Sequence, residues 1–263
     1  MVDLAELLGD LADESADLDR RVADLPPERW ELPTPSPGWS VAHQIAHLAW
    51  TDHSSLLAAT DEAGYAAQLA AALEQPESFV DQGAREWLAP PAELLARWRA
   101  GRAALADALL QAAPGTRIFW YGGRLSPASM ATARIMETWA HGQDVADALG
   151  VTREPSARLR HIAHLGHRTV AHSFATHGRP EPAEPVALVL TAPDGSQWTY
   201  GDPSAANRVS GPALDLCLLV TQRRHRADLA LRATGRVADE WLDIAQAFAG
   251  PPGAGRAPAE ATT

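Results

Sequence analysis

The stretch from Ser126 to Gly150, SPASMATARIMETWAHGQDVADALG, reads as one complete helix. Ser126 offers an N-cap hydroxyl, and Pro127 brings the fixed φ suited to a first helical turn. Met130, Met136, Trp139 and Val145 carry the apolar side to Leu149, and Gly150 is a natural C-cap. Glu137 and His141 stand four apart inside it, so both project from one face and can reach a single ion.

Working outward, three more segments have the same character. Leu4, Leu7, Leu8, Leu11, Leu18, Val22 and Leu25 form one apolar stripe with acids between them. After a proline-dense linker (Pro26-Pro27, Pro33–Gly38), Ser40 caps a second helix through Val41, Ile45, Leu48 and Trp50 to about Ala59. Residues 63–90 read as short helical pieces interrupted by Pro76. A further long helix starts near Pro91, passes Leu94, Leu95, Trp98, Leu105 and Leu109, and stops at Pro114-Gly115. Four long amphipathic helices with short connections predict a four-helix bundle over residues 1–150.

The remainder changes character. A helix over 156–177 fills a connecting segment, residues 151–179, and a proline-rich linker follows to Pro185. Val186–Thr191 and Gln197–Tyr200 flank Pro193-Asp194-Gly195 as a hairpin signal. A helix at Pro212–Gln222, a strand near Asp228–Ala233 and a helix at Ala238–Phe248 complete a small α+β domain over 185–250. The Pro/Gly/Ala-rich tail, 251–263, is expected to be disordered. The fold class expected is mainly α: a helical bundle followed by a small α+β domain.

Composition narrows the function. The chain has 263 residues and a net charge of −11, which argues against a nucleic-acid surface. All 22 basic residues are arginine, so a lysine Schiff base is excluded. Cys217 is the single cysteine, set in an apolar run, and reads as a buried inert thiol; no disulfide framework or cysteine zinc site is available. No apolar stretch is long enough to span a membrane and the N-terminus is acidic, so a cytoplasmic protein is expected. The oligomeric state stays open.

His47, midway along the second helix, completes a His₂Glu set with Glu137 and His141. That is the ligand type of catalytic zinc sites, which keep one position open. Spacing alone leaves a solvated helix face as the alternative. His43, four residues before His47, can line the pocket, supplement the ligands or meet solvent, while His53 points away. His161, His164 and His172 share a face of the 156–177 helix and mark either a second site or a polar face. Arg117 and Arg124 flank the aromatic segment Phe119–Gly123 and can hold a carboxylate or simply lie on the surface. The run Arg223–Arg226 reads as a helix C-terminal cap. Trp139 and Trp50 are candidate pocket walls.

Pro37-Gly-Trp-Ser-Val-Ala-His43-Gln-Ile-Ala-His47-Leu48 resembles the second-helix signature of the DinB-like metal-binding bundles. Met136-Glu137-Thr-Trp-Ala-His141-Gly-Gln-Asp144 is similar to the E-x-x-x-H-x-x-D element of their mycothiol-dependent maleylpyruvate isomerase branch. The likeness covers roughly residues 1–150 and extends to the α+β tail. It implies that His47, Glu137 and His141 are metal ligands and that Asp144 orients them. Zinc is the default cation, with nickel, manganese or iron(II) as alternatives. It further implies mycothiol as cosubstrate and a small electrophilic substrate, in an isomerase or S-transferase. Two other readings stand beside it. One is metal-assisted hydrolysis with Asp52 or His43 as general base. The other is a non-catalytic metal or small-molecule binding module, for which His43 would be a fourth ligand.

Overall fold

The structure, a computed structural model, describes residues 3–74, 78–121, 123–253 and 255–259. The chain divides into two compact units, Met1–Arg153 and Glu154–Thr263.

The first unit is built on four long helices: α1 (Leu4–Val22), α2 (Val41–Thr60), α5 (Pro91–Leu110) and α6 (Pro127–Leu149). The shorter α3 (Glu62–Glu74) and α4 (Phe79–Glu86) lie between α2 and α5 in sequence, and both pack on α2. The break expected at Pro76 lies outside the described residues. Helix α1 begins at Asp3, whose carboxylate accepts from the Ala5 amide, and stops at Val22, short of Leu25. Helix α6 runs as read, with the Ser126 hydroxyl accepting from the Ser129 amide and Gly150 in the left-handed region at φ 68°.

The bundle buries two apolar clusters with a polar layer between them. Val22, Val41, Ile45, Leu48, Leu94 and Trp98 belong to one cluster, and Leu7, Leu11, Leu105, Leu109, Met130 and Ile135 to the other. Each long helix also supplies the polar layer. Asp52 of α2 is completely buried and accepts from Arg102 Nε of α5 at 2.7 Å and Arg134 Nε of α6 at 2.9 Å. Arg102 also donates to Ser15 of α1 and Thr138 of α6. Two guanidiniums share this one carboxylate, and removing Asp52 would strip both of their direct partner.

Phe119, Trp120 and Gly123, read as part of a loop, lie instead in a small hairpin of β1 (Ile118–Trp120) and β2 (Gly123–Leu125). Arg124 there donates to Glu62 at 2.9 Å and to the Arg117 carbonyl, while its guanidinium lies over Phe119.

In the second unit β3 (Val186–Thr191), β4 (Gln197–Tyr200), β5 (Asn207–Pro212) and β6 (Arg232–Thr234) form one sheet in the order β4-β3-β5-β6. The β3–β4 pair is the expected hairpin, and β3–β5 is parallel. The sequence reading omitted β5. Asn207 and Gly211 are poor strand formers and Pro212 opens the helix expected over 212–222, yet the backbone pairs with β3 on one side and β6 on the other. The strand placed near 228–233 is β6, preceded by a 3₁₀ turn over Arg226–Asp228.

The single helix expected over 156–177 is two: α7 (Leu159–Arg168) and α8 (Val170–Thr176). Thr169 makes the break. Its hydroxyl and its amide both donate to the carbonyls of Leu165 and Gly166, at a backbone φ of −100°. Helix α9 (Ala213–Val220) follows β5 directly. Helix α10 (Arg236–Leu242) ends before Phe248, because the amides beyond it take tertiary partners: Gln246 donates to Ser173 Oγ and Ala247 to the Val220 carbonyl. Cys217 is fully buried on α9, and burial pushes its thiol up, as an inert core residue requires. Residues 251–253 and 255–259 form no helix or strand; the rest of the expected disordered tail lies outside the described residues. No helix among the described residues is long and apolar enough to cross a membrane.

Candidate metal centre

Helices α2 and α6 pack side by side and turn His47 toward Glu137 and His141. The Glu137 carboxylate is the hub: its Oε2 lies 3.3 Å from His47 Nε2 and 3.3 Å from His141 Nε2. One donor atom from each residue falls within 4.8 Å of the other two, a spacing one cation can span. The imidazole centroids are 4.4 Å apart. Side-chain exposures of 8% for His47, 12% for His141 and 21% for Glu137 leave the group largely buried, with Glu137 its most exposed member. It is the one cluster of this kind among the described residues.

A hydrogen-bond chain fixes the His141 tautomer. Thr34 Oγ1 donates to the Trp39 carbonyl and accepts from Gln44 Nε2 at 2.9 Å. The Gln44 carbonyl oxygen therefore faces His141 Nδ1, 2.5 Å away, and accepts its proton. The His141 lone pair is left on Nε2, the atom that meets Glu137. His47 Nδ1 is buried and has no hydrogen-bond partner among the described residues. Burial opposes a charge on Glu137. The facing imidazoles of His141 and His47, and the nearby Arg134 guanidinium, outweigh it and hold the carboxyl well below the usual carboxylate range. Two imidazoles, one with its tautomer set by Gln44, and a standing carboxylate fit a divalent cation of the zinc type.

The other predicted residues fall as follows. His43 sits in the first turn of α2, where its Nδ1 meets the Ser40 amide at 3.3 Å and the Ser40 hydroxyl at 2.9 Å. It is part of the helix cap, and burial followed by the Arg85 charge lowers its pKa. Asp52 is held by its two arginines in the polar layer. His53 is exposed and lies 5.1 Å from the Trp87 ring. Asp144 is fully buried and accepts from Ser36 Oγ at 3.0 Å. Trp50 lies 5.9 Å from the His47 ring, whereas Trp139 packs under the Arg153 guanidinium. Arg117 and Arg124 are exposed on the hairpin. On the second unit His164 and His167 face Tyr200, at 6.2 and 6.1 Å. His172 falls beyond the Thr169 break, so it no longer shares a wheel with His161 and His164.

Sequence reasoning gave no role to Gln44 or Trp39, while Tyr121 belongs to the aromatic segment it singled out. Gln44 lies one turn before His47, and only the fold shows that it reaches His141. Trp39, from the linker before α2, lies 5.2 Å from the His47 ring and 5.9 Å from His141. Tyr121, at a φ of 40°, has its phenol raised by burial, by Tyr65 and by the Glu137 carboxylate.

Residues 11–146 match the family described as the mycothiol maleylpyruvate isomerase N-terminal domain. The chain belongs to this family. Two uncharacterized proteins of Mycobacterium tuberculosis, from strains CDC 1551 and H37Rv, are 53% identical to it over 257 residues, 97% of this chain and 100% of theirs. Among solved structures, the crystal structure of the mycothiol-dependent maleylpyruvate isomerase superposes with a TM-score of 0.56 at 16% identity, covering 83% of this chain and 88% of that one. A histidine-to-alanine mutant of that isomerase gives the same TM-score at 17% identity. At that identity the superposition speaks for the fold, and the DinB-like bundle of the maleylpyruvate isomerase family is the fold of this chain. The family match spans α1 to α6, the elements that carry the His47–Glu137–His141 group.

Proposed function

We propose that the chain is a divalent-metal-dependent, thiol-dependent isomerase or S-transferase, acting in the cytoplasm on a small electrophilic substrate with mycothiol as cosubstrate. The observation that carries the reading is the His47–Glu137–His141 group, three donor residues with no fourth joined to them among the described residues, in a member of the mycothiol maleylpyruvate isomerase family. Three protein ligands are the count of an open site. A cation held there, zinc by default, supplies the positive charge that keeps a coordinated thiol ionised at neutral pH.

The protein's own residues hold and orient. Gln44, backed by Thr34, keeps the His141 proton on Nδ1. Arg134 balances the Glu137 charge from the polar layer. No protein nucleophile is required, and Cys217 is buried where it cannot serve as one. A substrate whose electron-poor double bond accepts sulfur, rotates and expels it leaves as its isomer; one that keeps the sulfur leaves as a thioether. Hydrolysis is the weaker reading. Its two candidate bases are already engaged, Asp52 by two arginines and His43 by Ser40.

The test is elemental mass spectrometry of the purified chain, followed by addition of mycothiol to the cobalt-substituted protein. Near-stoichiometric metal and a new sulfur-to-cobalt absorption band are expected. Bound metal without the band would overturn the thiol reading. His141→Ala should lose most of the metal with its helical circular dichroism intact; unchanged stoichiometry would sink the ligand assignment.

A further inference from the structure

Trp39 is the aromatic side chain set against both proposed ligand histidines. Its ring centroid lies 5.2 Å from His47, and 5.9 Å from His141 at an interplanar angle of 21°. It is not a core tryptophan: Trp30 and Trp98 are 2% and 1% exposed, whereas Trp39 is only partly buried. Its indole N–H is committed, donating to Asp81 Oδ1 of α4 at 2.7 Å.

Helix α4 is in turn seated on α2. Phe79 meets the Trp50 ring edge-on at 5.0 Å, and Gly83 lies so close that a Cβ there would stand 2.5 Å from Trp50 Cε2. The Trp50 ring centroid in turn lies 5.9 Å from that of His47. His47 thus has two indoles near it, both tied to α4, one by a hydrogen bond and one by packing. The Trp50 indole is buried. Of the two, the Trp39 indole is the one partly open to solvent.

We propose that Trp39, locked by Asp81, is a positioning and specificity-determining residue: its π-face is the surface on which a planar, conjugated part of the substrate lies. The inference rests on the proposed function for the location of the reacting centre. The indole face is electron-rich and so complementary to an electron-poor conjugated plane. A flexible saturated chain of the same charge offers no such plane. The Asp81 bond matters because a ring held in one orientation loses no freedom when a ligand stacks on it.

The probes are monomethyl maleate and monomethyl succinate, which share charge and length and differ by the double bond. Isothermal titration into the metal-loaded full chain should show the unsaturated ester bound about fivefold more tightly, the scale of one ring-stacking contact. Trp39→Leu should abolish that preference with metal stoichiometry unchanged, and Trp39→Phe should keep most of it. Asp81→Ala should weaken the preference, while Asp81→Asn, whose amide oxygen still accepts the indole proton, should restore it. A preference that survives Trp39→Leu, or that the parent protein lacks, overturns the proposal. Should Trp39→Leu shed its metal, the comparison of Trp39→Phe with Asp81→Ala decides. Should the parent protein hold no metal, the proposed function fails, and the same titrations on the metal-free chain still decide the role of Trp39.

Discussion

Gln44 shows how much of a site can depend on one neutral side chain. Between Thr34 and His141 it has a single orientation that satisfies both neighbours, and that orientation dictates which imidazole nitrogen carries the proton. Replacing it by leucine keeps the bulk and removes the acceptor. Partners of this kind are worth roughly 10–100-fold in metal affinity. Gln44→Leu is therefore expected to weaken metal binding by that order in a competition titration with a chelating dye, with no change in fold. Equal affinity would show that His141 needs no orienting partner. Tyr65 gives a test with a defined sign. It is 2% exposed, and burial pushes its hydroxyl from 10.0 to about 12, against a lowering contribution from the Tyr121 amide. The fold thus favours the neutral phenol. That contribution is complete below pH 10.0 and is lost as pH rises toward about 12. The parent protein should lose melting temperature faster across that window than Tyr65→Phe, and parallel curves would refute the assignment.

Among the elements, α4 carries the sharpest constraint. Gly83 allows the helix to lie flat on the Trp50 ring. Alanine would improve helix propensity by about 1 kcal/mol but would drive a methyl into a buried indole. Overpacking of this type costs roughly 1–3 kcal/mol, so Gly83→Ala should lower the thermal midpoint of the chain. A raised midpoint would mean that α4 moves freely over α2. The same element explains what the sequence hid. The long helices were legible because each repeats its apolar stripe over many turns, and the Glu137–His141 pair was legible because four residues make one helical turn. Trp39 was not, since its place depends on a hydrogen bond to a helix 42 positions away. Strand β5 was missed for a related reason: its residues are poor strand formers, and its extended backbone comes from the neighbours on either side. Thr169, Gln246 and Ala247 ended helices by bonds that helical periodicity does not register.

At the scale of the whole chain, the family match falls within the first compact unit, where the bundle wraps two apolar clusters around a charged layer. That layer and the candidate metal centre are neighbours through Arg134, which holds Asp52 directly and biases Glu137 through its charge. His47 and Glu137 are also 90 positions apart along the chain. An ion gripping both would act as a clip across that loop, available to the folded chain and not to the unfolded one. Ligation and folding then share one free energy. The melting point becomes a gauge of free metal, and it should climb with the logarithm of metal concentration, by roughly 2.7 kcal/mol of added stability at a hundredfold excess over the dissociation constant. Calorimetry across a series of buffered zinc concentrations would read that slope directly, and a flat line would mean that the clip never closes. A cell that starves such a protein of its metal would take away that added stability along with the activity.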